Sequence, residues 1–202
     1  MRYDAEHKAR TRARILKEAA KAIRSEGPHR IRVAGVMSRA GLTHGGFYAH
    51  FSSKDNLVAE AITQMFHDSA ASFDRVVGGR PPAEAISAFI DYYLSSTHRD
   101  ARDTGCPLAA LSTDLPRLKA AARTRFADGV TRLTTMFSSW FEALGSPDPG
   151  AEAASTLAEL VGAIGLARAV PSREQSNAIL SHSRMMLKRR LGIEGATAPR
   201  PS

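Results

Sequence analysis

Apolar residues recur at intervals of three and four along most of this 202-residue chain. That spacing places them on one face of a helix. Alternating runs of β-branched residues, which would indicate strands, are hard to find. Clusters of glycine and proline at 27–28, 78–82 and 145–150 divide the pattern into separate segments. The sequence therefore predicts an all-α protein of about nine helices.

The predicted helices differ in length. The first covers about residues 10–25, and two short helices follow within 31–51. A long helix begins after Ser53 and continues toward Phe73, and the next carries apolar residues up to Leu94. Further helices are expected over 108–115, 126–144, 152–169 and 173–191. The terminal segment 195–202 is expected to be disordered.

The most informative segment is 31–51, with the sequence IRVAGVMSRAGLTHGGFYAHF. Val36 and Met37 lie at helical spacing from Val33. Gly41 can adopt the left-handed conformation that ends a helix. Thr43 can then N-cap a second short helix. Two short helices joined by a tight turn predict a helix-turn-helix, whose second helix lies in the DNA major groove.

The distribution of charge supports a nucleic-acid partner. Residues 1–54 hold 12 Lys and Arg against 4 Asp and Glu, whereas the remaining residues hold 16 of each. The whole net charge of +8 therefore lies beside the predicted helix-turn-helix. Positive charge concentrated in this way is typical of proteins that bind double-stranded DNA.

Four side chains around the motif are candidates for phosphate contact. Lys54 lies just inside a predicted helix N-terminus, where a positive side chain is combined with backbone N–H groups. Arg32 lies at the start of the preceding helix, and Tyr48 can donate its hydroxyl proton to a phosphate. His50 fits a phosphate contact and a packed core histidine equally well.

The residues expected to face the bases are at the start of the second helix. His44 is the strongest candidate for a base contact, because Gly45 and Gly46 have no side chain and let the helix approach DNA closely. Thr43 is either a cap alone or a cap that also contacts the backbone or a thymine methyl group.

Composition narrows the remaining possibilities. The single cysteine, Cys106, excludes an intrachain disulfide framework and a cysteine-cluster metal site, and no cofactor or metal is expected. The charged N-terminus lacks the apolar core of a signal peptide. The most apolar stretch, 157–170, contains Glu159 and Arg168 and is too short to span a bilayer. We expect a soluble cytoplasmic protein with no membrane partner.

The longer pattern resembles the TetR family of bacterial transcriptional regulators. It consists of Gly41-Leu42-Thr43, Phe47-Tyr48, His50-Phe51, and Lys54-Asp55 followed by Leu57. The match is strongest over residues 10–65, and beyond residue 70 only the helix lengths agree. Gly35 and Gly46 depart from the usual pattern, which more often has a longer residue at each position.

The resemblance implies an organisation and a function. We expect a DNA-binding helix-turn-helix domain at 1–54 and a ligand-binding and dimerisation domain at 55–194. The family pattern implies a homodimeric regulator, more commonly a repressor, on a palindromic operator. A small-molecule inducer, bound in a pocket of the second domain, would release the DNA.

The sequence also permits the dimer without the resemblance. Leu157, Leu160, Val161 and Ile164 form an apolar seam on one predicted helix, and Gly162 and Gly165 allow close approach. Residues Leu180, Met186 and Leu187 of the last helix are candidates for the other half. The same apolar faces are equally suited to packing within one chain.

Cys106 precedes Pro107, which suits the first position of a helix, so the thiol is expected at an N-cap. A thiol there faces backbone N–H groups, which favours the thiolate. Some TetR-type regulators that respond to electrophiles or oxidants look similar here, with a cysteine after glycine at the start of this helix. The alternative is a buried and inert side chain.

Two other classes of protein are weighed against a ligand-responsive regulator. An architectural DNA-binding protein without an effector explains the basic N-terminal part but gives the neutral remainder no role. A helical enzyme with an anion-binding head would need a nucleophile with a matched base, a metal-spaced cluster or a phosphate-binding glycine loop. None of these patterns is present in the sequence, so we expect no catalytic site.

Overall fold

The structure, a computed structural model, describes residues 2–196, with side chains from Ala5 onward. In that range the chain forms nine α-helices, two short 3-10 helices and no strand, which confirms the all-α class. The α-helices are α1 (Arg2–Glu26), α2 (Val33–Arg39), α3 (Lys54–Val77), α4 (Pro82–Tyr93), α5 (Ser96–Asp100), α6 (Pro107–Leu111), α7 (Ala120–Ala143), α8 (Pro149–Ala169) and α9 (Arg173–Arg190). The 3-10 helices are His44–Ala49 and Leu115–Arg117. The predicted disordered segment 195–202 lies outside the described residues from 197 onward.

Three helices differ from the sequence-based expectation. Helix α1 begins at Arg2, because residues 2–9 contain no glycine or proline that would stop it. Helix α5 was not expected; the hydroxyl of Ser95 caps it by accepting the His98 backbone N–H at 3.1 Å. Helix α6 ends at Leu111, earlier than predicted, and a 3-10 turn containing Pro116 follows.

Contacts between residues divide the chain into two compact units. Unit 1 comprises Met1–Ser69 and Arg102–Gly129, and unit 2 comprises Ala70–Ala101 and Val130–Ser202. Helices α3 and α7 therefore each contribute residues to both units. The expected functional boundary between residues 54 and 55 is a separate question and stays a prediction.

The core of unit 1 is built from α1, α2, the first 3-10 helix and the start of α3. Its buried side chains include Ile15, Ile23, Met37, Phe47, Phe51, Leu57, Ile62 and Met65. The rings of Phe47 and Phe51 stack with their centroids 5.7 Å apart. Burial of an aromatic side chain of this size contributes about 2 kcal/mol each. The helix-turn-helix is therefore fixed to the rest of unit 1 by its own aromatic residues.

The core of unit 2 is an aromatic cluster packed against the last two helices. Phe89 lies at its centre, with ring centroids 4.7 Å from Phe73, 4.9 Å from Phe137 and 5.6 Å from Tyr93. Helices α8 and α9 pack against each other and against α4. This cluster was predicted as core from the spacing of its aromatic residues, and the structure confirms its burial.

Candidate nucleic-acid interface

The turn between α2 and the following 3-10 helix is closed by backbone hydrogen bonds. Gly41 has a φ of 68°, the left-handed conformation expected for it. Its N–H donates to the Ser38 carbonyl, and the Leu42 N–H donates to the Met37 carbonyl, both at 2.9 Å. These bonds end α2 and set the direction in which the next segment leaves.

The segment expected to enter the major groove is a 3-10 helix, His44–Ala49, and not a regular α-helix. Adjacent glycines at 45 and 46 disfavour the α-helical ladder, which accounts for the tighter and shorter turn. Thr43 occupies the N-cap position, but its side chain makes no cap hydrogen bond, so the predicted capping role of its hydroxyl is wrong. The exposed Thr43 side chain is left facing solvent.

The exposed face of this segment carries the residues predicted to contact DNA. His44 and Gly45 are exposed, and Tyr48 is the most exposed large apolar-bodied side chain, at 73%. Phe47, between them in sequence, is buried and packs its ring edge-on against Tyr48 at 5.2 Å. Gly46 is half-buried above Met37, whose terminal methyl would lie 3.8 Å from an added Cβ. One side of the segment anchors it and the other is available to a partner.

Lys54 is the first residue of α3, as predicted. Its Nζ donates to the His29 carbonyl at 3.3 Å, which holds the exposed ammonium group near the α1–α2 loop. The Ser53 hydroxyl accepts the Asn56 backbone N–H at 3.0 Å and caps the helix, which confirms the predicted serine cap. First-turn N–H groups without a helical partner add positive potential beside Lys54.

Arg32 and His50 are placed on either side of the motif. Arg32 occupies the N-cap of α2 in extended conformation, and its side chain is exposed. His50 is half-buried; burial lowers its pKa, and the charges of Lys8 and Arg12 lower it further. A phosphate contact by His50 would therefore be a hydrogen bond from a neutral ring near pH 7. Both contacts stay predictions.

Arg12 was missed as a structural residue. Its guanidinium forms an ion pair with Glu60 and lies 4.8 Å from the centroid of the Phe51 ring. Asn56 donates its side-chain amide to the same glutamate at 3.1 Å. Arg12 therefore joins α1 to α3 behind the recognition segment. No local signal in the sequence indicates this pairing, because the two charges are 48 positions apart.

Cys106 occupies the N-cap of α6, as predicted, and is buried at 2% exposure. Its side chain makes no cap hydrogen bond, and α6 is only one short turn. Within unit 1, α6 contacts α1, which carries the buried Arg24. Burial lowers the pKa of Arg24, and the charges of Asp68, Cys106 and Asp103 oppose that shift. The environment of the thiol thus includes a buried guanidinium.

Unit 2 contains a buried arginine that joins three helices. The Arg99 guanidinium donates to Ser176 Oγ at 2.8 Å, to Asn177 Oδ1 at 2.7 Å and to both carboxylate oxygens of Asp100. Hydrogen bonds from Arg99 and Arg173 hold the pKa of the Asp100 carboxyl well below its usual range. This network fastens α5 to the first turn of α9.

The predicted dimer seam is largely internal. Leu157, Leu160, Ile164, Leu180 and Leu187 are buried within the chain, so for these residues intrachain packing is the correct alternative. The apolar side chains that α8 and α9 leave exposed are Leu166, Met185 and Met186. On α8, Gly162 and Gly165 have open space where a Cβ would lie.

Two searches of the described residues bear on other functions. Residues 2–196 contain no group of three or more His, Cys, Asp or Glu side chains placed to hold a metal ion. Among the same residues, no helix combines the length and apolar character that crossing a bilayer requires.

A helix-turn-helix with an exposed recognition face in a basic unit defines a DNA-binding regulator. Residues 15–61 match the profile of the bacterial regulatory proteins of the tetR family. The chain is also 30% identical over 167 residues to an uncharacterized HTH-type transcriptional regulator of Mycobacterium tuberculosis, covering 78% of this chain and 84% of the relative. The protein belongs to the TetR family of transcriptional regulators.

Solved structures share the fold across nearly the whole chain. A TetR transcriptional regulator from Chloroflexus aurantiacus superposes with a TM-score of 0.80 at 21% identity, covering 93% of this chain and 96% of that one. The reduced form of NemR from E. coli gives 0.76 at 18%, covering 89% and 95%. A TetR-family regulator from Agrobacterium tumefaciens gives 0.75 at 24%, covering 90% and 98%.

Proposed function

We propose that this TetR-family regulator is a ligand-responsive repressor that binds a palindromic operator as a homodimer in the cytoplasm. The observation that carries the proposal is the exposed face of His44, Gly45 and Tyr48 beside Lys54 in the basic part of the chain. Two recognition segments in a symmetric dimer would meet half-sites about one helical turn apart, 34–36 Å. The role is non-catalytic.

Selection of bound duplexes from a random DNA pool tests the operator. We expect a recovered palindrome that the protein binds at least ~1000-fold more tightly than random DNA. Equal affinity for selected and random duplexes would instead favour an effector-independent architectural protein. The absence of any DNA binding would contradict both.

The exposed part of α8 and α9 supports a second copy as the dimer partner. Leu166, Met185 and Met186 are large apolar side chains left in solvent, and Gly162 permits close approach of another helix. An added side chain at Gly162 meets nothing within 4 Å in its own chain. Gly162→Leu should therefore disrupt the dimer while leaving the monomer folded.

Sedimentation velocity at micromolar concentration measures this effect. We expect the wild type to sediment as a dimer and Gly162→Leu to shift toward monomer with unchanged helical circular dichroism. Gly195→Leu is the matched control, because an added Cβ at Gly195 also meets nothing within 4 Å. A monomeric wild type that does not pair on DNA would rule out the dimer.

The inducer is proposed to bind in unit 2, whose apolar core contains polar groups without a partner. The hydroxyls of Ser87 and Thr156 are buried and make no hydrogen bond. Such groups cost free energy unless a ligand or water satisfies them. A ligand with an apolar body and a hydrogen-bonding group would suit this environment. A thermal-shift screen followed by DNA-release assays would identify it, and Ser87→Ala should weaken the response.

A covalent route of release through Cys106 is the second part of the proposal. The supporting observation is the buried positive Arg24 in the same unit, which favours a thiolate nearby. An electrophile such as N-ethylmaleimide would form a thioether at the sulfur and displace the start of α6. Release of DNA from wild type but not from Cys106→Ser supports this route. Equal release from both proteins, or none, leaves non-covalent inducers.

A further inference from the structure

A basic cavity of about 680 Å³ lies in unit 1 between the α1–α2 loop, α2 and the start of α3. Its charged lining consists of Arg30, Arg32, Arg39 and Lys54, with Glu26 and His29. Arg32 and Lys54 belong to the expected phosphate-contacting residues, whereas Arg30 and Arg39 do not. The cavity therefore adjoins the candidate interface and extends it with two further arginines.

The charges in the cavity favour an anion. Four permanently positive side chains face one carboxylate, Glu26. Glu26 Oε1 lies 3.5 Å from Arg39 NH1, and both side chains are exposed at 44%, so the pair is solvated and weak. The planar guanidinium groups can donate two parallel hydrogen bonds to a phosphate. The positive charge is thus only partly neutralised within the chain.

The shape of the cavity allows an extended ligand to approach the backbone. Gly35 lies on its wall, and a Cβ added there would meet nothing within 4 Å. Apart from Gly35 and the buried Ile31, the lining residues are polar or charged. Sites for small metabolites are mostly apolar, with few polar groups. A polar, open and basic concavity fits a phosphodiester chain better than a metabolite.

We propose that this cavity binds a sugar-phosphate segment of the operator, with Arg30 and Arg39 as additional phosphate contacts. This inference rests on the proposed function, because it needs DNA to be the partner. Glu26 has a defined effect in the same site: its carboxylate holds Arg39 and repels phosphate. It thereby limits affinity for all DNA and keeps non-specific binding low.

The salt dependence of DNA binding tests the proposal. The protein is the full-length chain, and the probes are the selected operator and a random duplex of equal length. Arg30→Gln and Arg39→Gln should each reduce the slope of log K against log salt by about one, on both duplexes alike. Arg39→Lys should keep most of the slope, since it keeps the charge. Glu26→Gln should raise affinity for both duplexes.

Arg132→Gln is the charge-matched control, because Arg132 is an exposed arginine of α7 outside the cavity. If the cavity variants behave like Arg132→Gln while the wild type still prefers its operator, the inference is wrong and the proposed function stands. If the wild type binds no DNA, the proposed function fails first. The variants are surface substitutions, and circular dichroism confirms that they fold.

Titration of inorganic phosphate without DNA distinguishes a second source of the same chemistry. A phosphate-dependent rise in melting temperature that disappears in Arg30→Gln and Arg39→Gln, with no change in their DNA salt slopes, would assign the cavity to a small phosphate compound. That result would overturn the DNA assignment. Reduced slopes, with no response to millimolar phosphate or a weak one, support it.

Discussion

Gly129 of α7 lies directly against the ring of Phe66 of α3, so closely that an added Cβ would come within 2.3 Å of two ring carbons. Phe66 also packs edge-on against Phe126, with centroids 5.8 Å apart. The ring is buried and has no open side toward which it could move freely. The close approach of α3 and α7 within unit 1 therefore depends on the absence of a side chain at residue 129.

We expect Gly129→Ala to lower the free energy of unfolding by about 1–3 kcal/mol, the usual cost of overpacking a core. Urea denaturation measures the change. The control is Gly35→Ala, where a Cβ meets nothing and helix propensity should add up to ~1 kcal/mol of stability. Phe66→Leu combined with Gly129→Ala should recover part of the loss. A fully stable Gly129→Ala would show that the contact is easily relieved.

The two sides of the candidate interface should respond differently to substitution. Lys54→Ala should weaken binding to all sequences and lower the salt slope by about one, because a phosphate contact is lost. His44→Ala should relax base preference at one position of each half-site, because a base contact is lost. Filter-binding titrations on the operator and its single-base variants distinguish the two. Equal losses on specific and random DNA for both variants would contradict these assignments.

Removal of Arg99 should cost more than removal of Arg173, although both contact Asp100. The Arg99 side chain is 5% exposed and joins α5 to α9, whereas that of Arg173 is 72% exposed. We expect Arg99→Ala to lower the free energy of unfolding by roughly 1.5–3 kcal/mol, the range for hydrogen bonds to charged groups. Arg173→Ala should change it by roughly 0–1 kcal/mol. Thermal melts of both variants, with similar losses, would show that the buried network is not the source of stability.

Stability should fall as the pH drops below neutrality, because of His98. Burial lowers the pKa of this ring; its hydrogen bond with the Tyr93 carbonyl, 2.8 Å long, opposes the shift, and the charge of Arg168 adds to it. Above about pH 6.5, histidine is neutral in both folded and unfolded chains and contributes no pH dependence. Below that value the unfolded chain binds the proton first, so the free energy of unfolding decreases.

His98→Asn should flatten the change in unfolding free energy between pH 7 and pH 5, measured by urea titration at each pH. Asparagine can still donate a hydrogen bond toward the Tyr93 carbonyl. His182→Asn provides the comparison, because the His182 side chain is exposed. An identical slope in wild type and His98→Asn would assign the acid sensitivity to other groups.

Features determined by neighbouring residues were predictable from the sequence. Gly41 ends α2 because only a positive φ turns the chain there, and the Ser53 hydroxyl caps α3 over three residues. The contacts of Arg12 and Arg99 were not predictable, because their partners lie 48 and 77 positions away. The burial of the seam residues on α8 was ambiguous for the same reason, since an apolar face does not specify which surface covers it.

The open position at Gly45 bears on how regulators of this kind diverge. A side chain added there meets no atom of its own chain within 4 Å, and the backbone is not in the left-handed region. Replacement of glycine in a helical turn does not weaken the turn. A single nucleotide change in a glycine codon can give serine, aspartate or arginine. After gene duplication, one copy could therefore acquire a new operator preference at this codon while its folding is maintained.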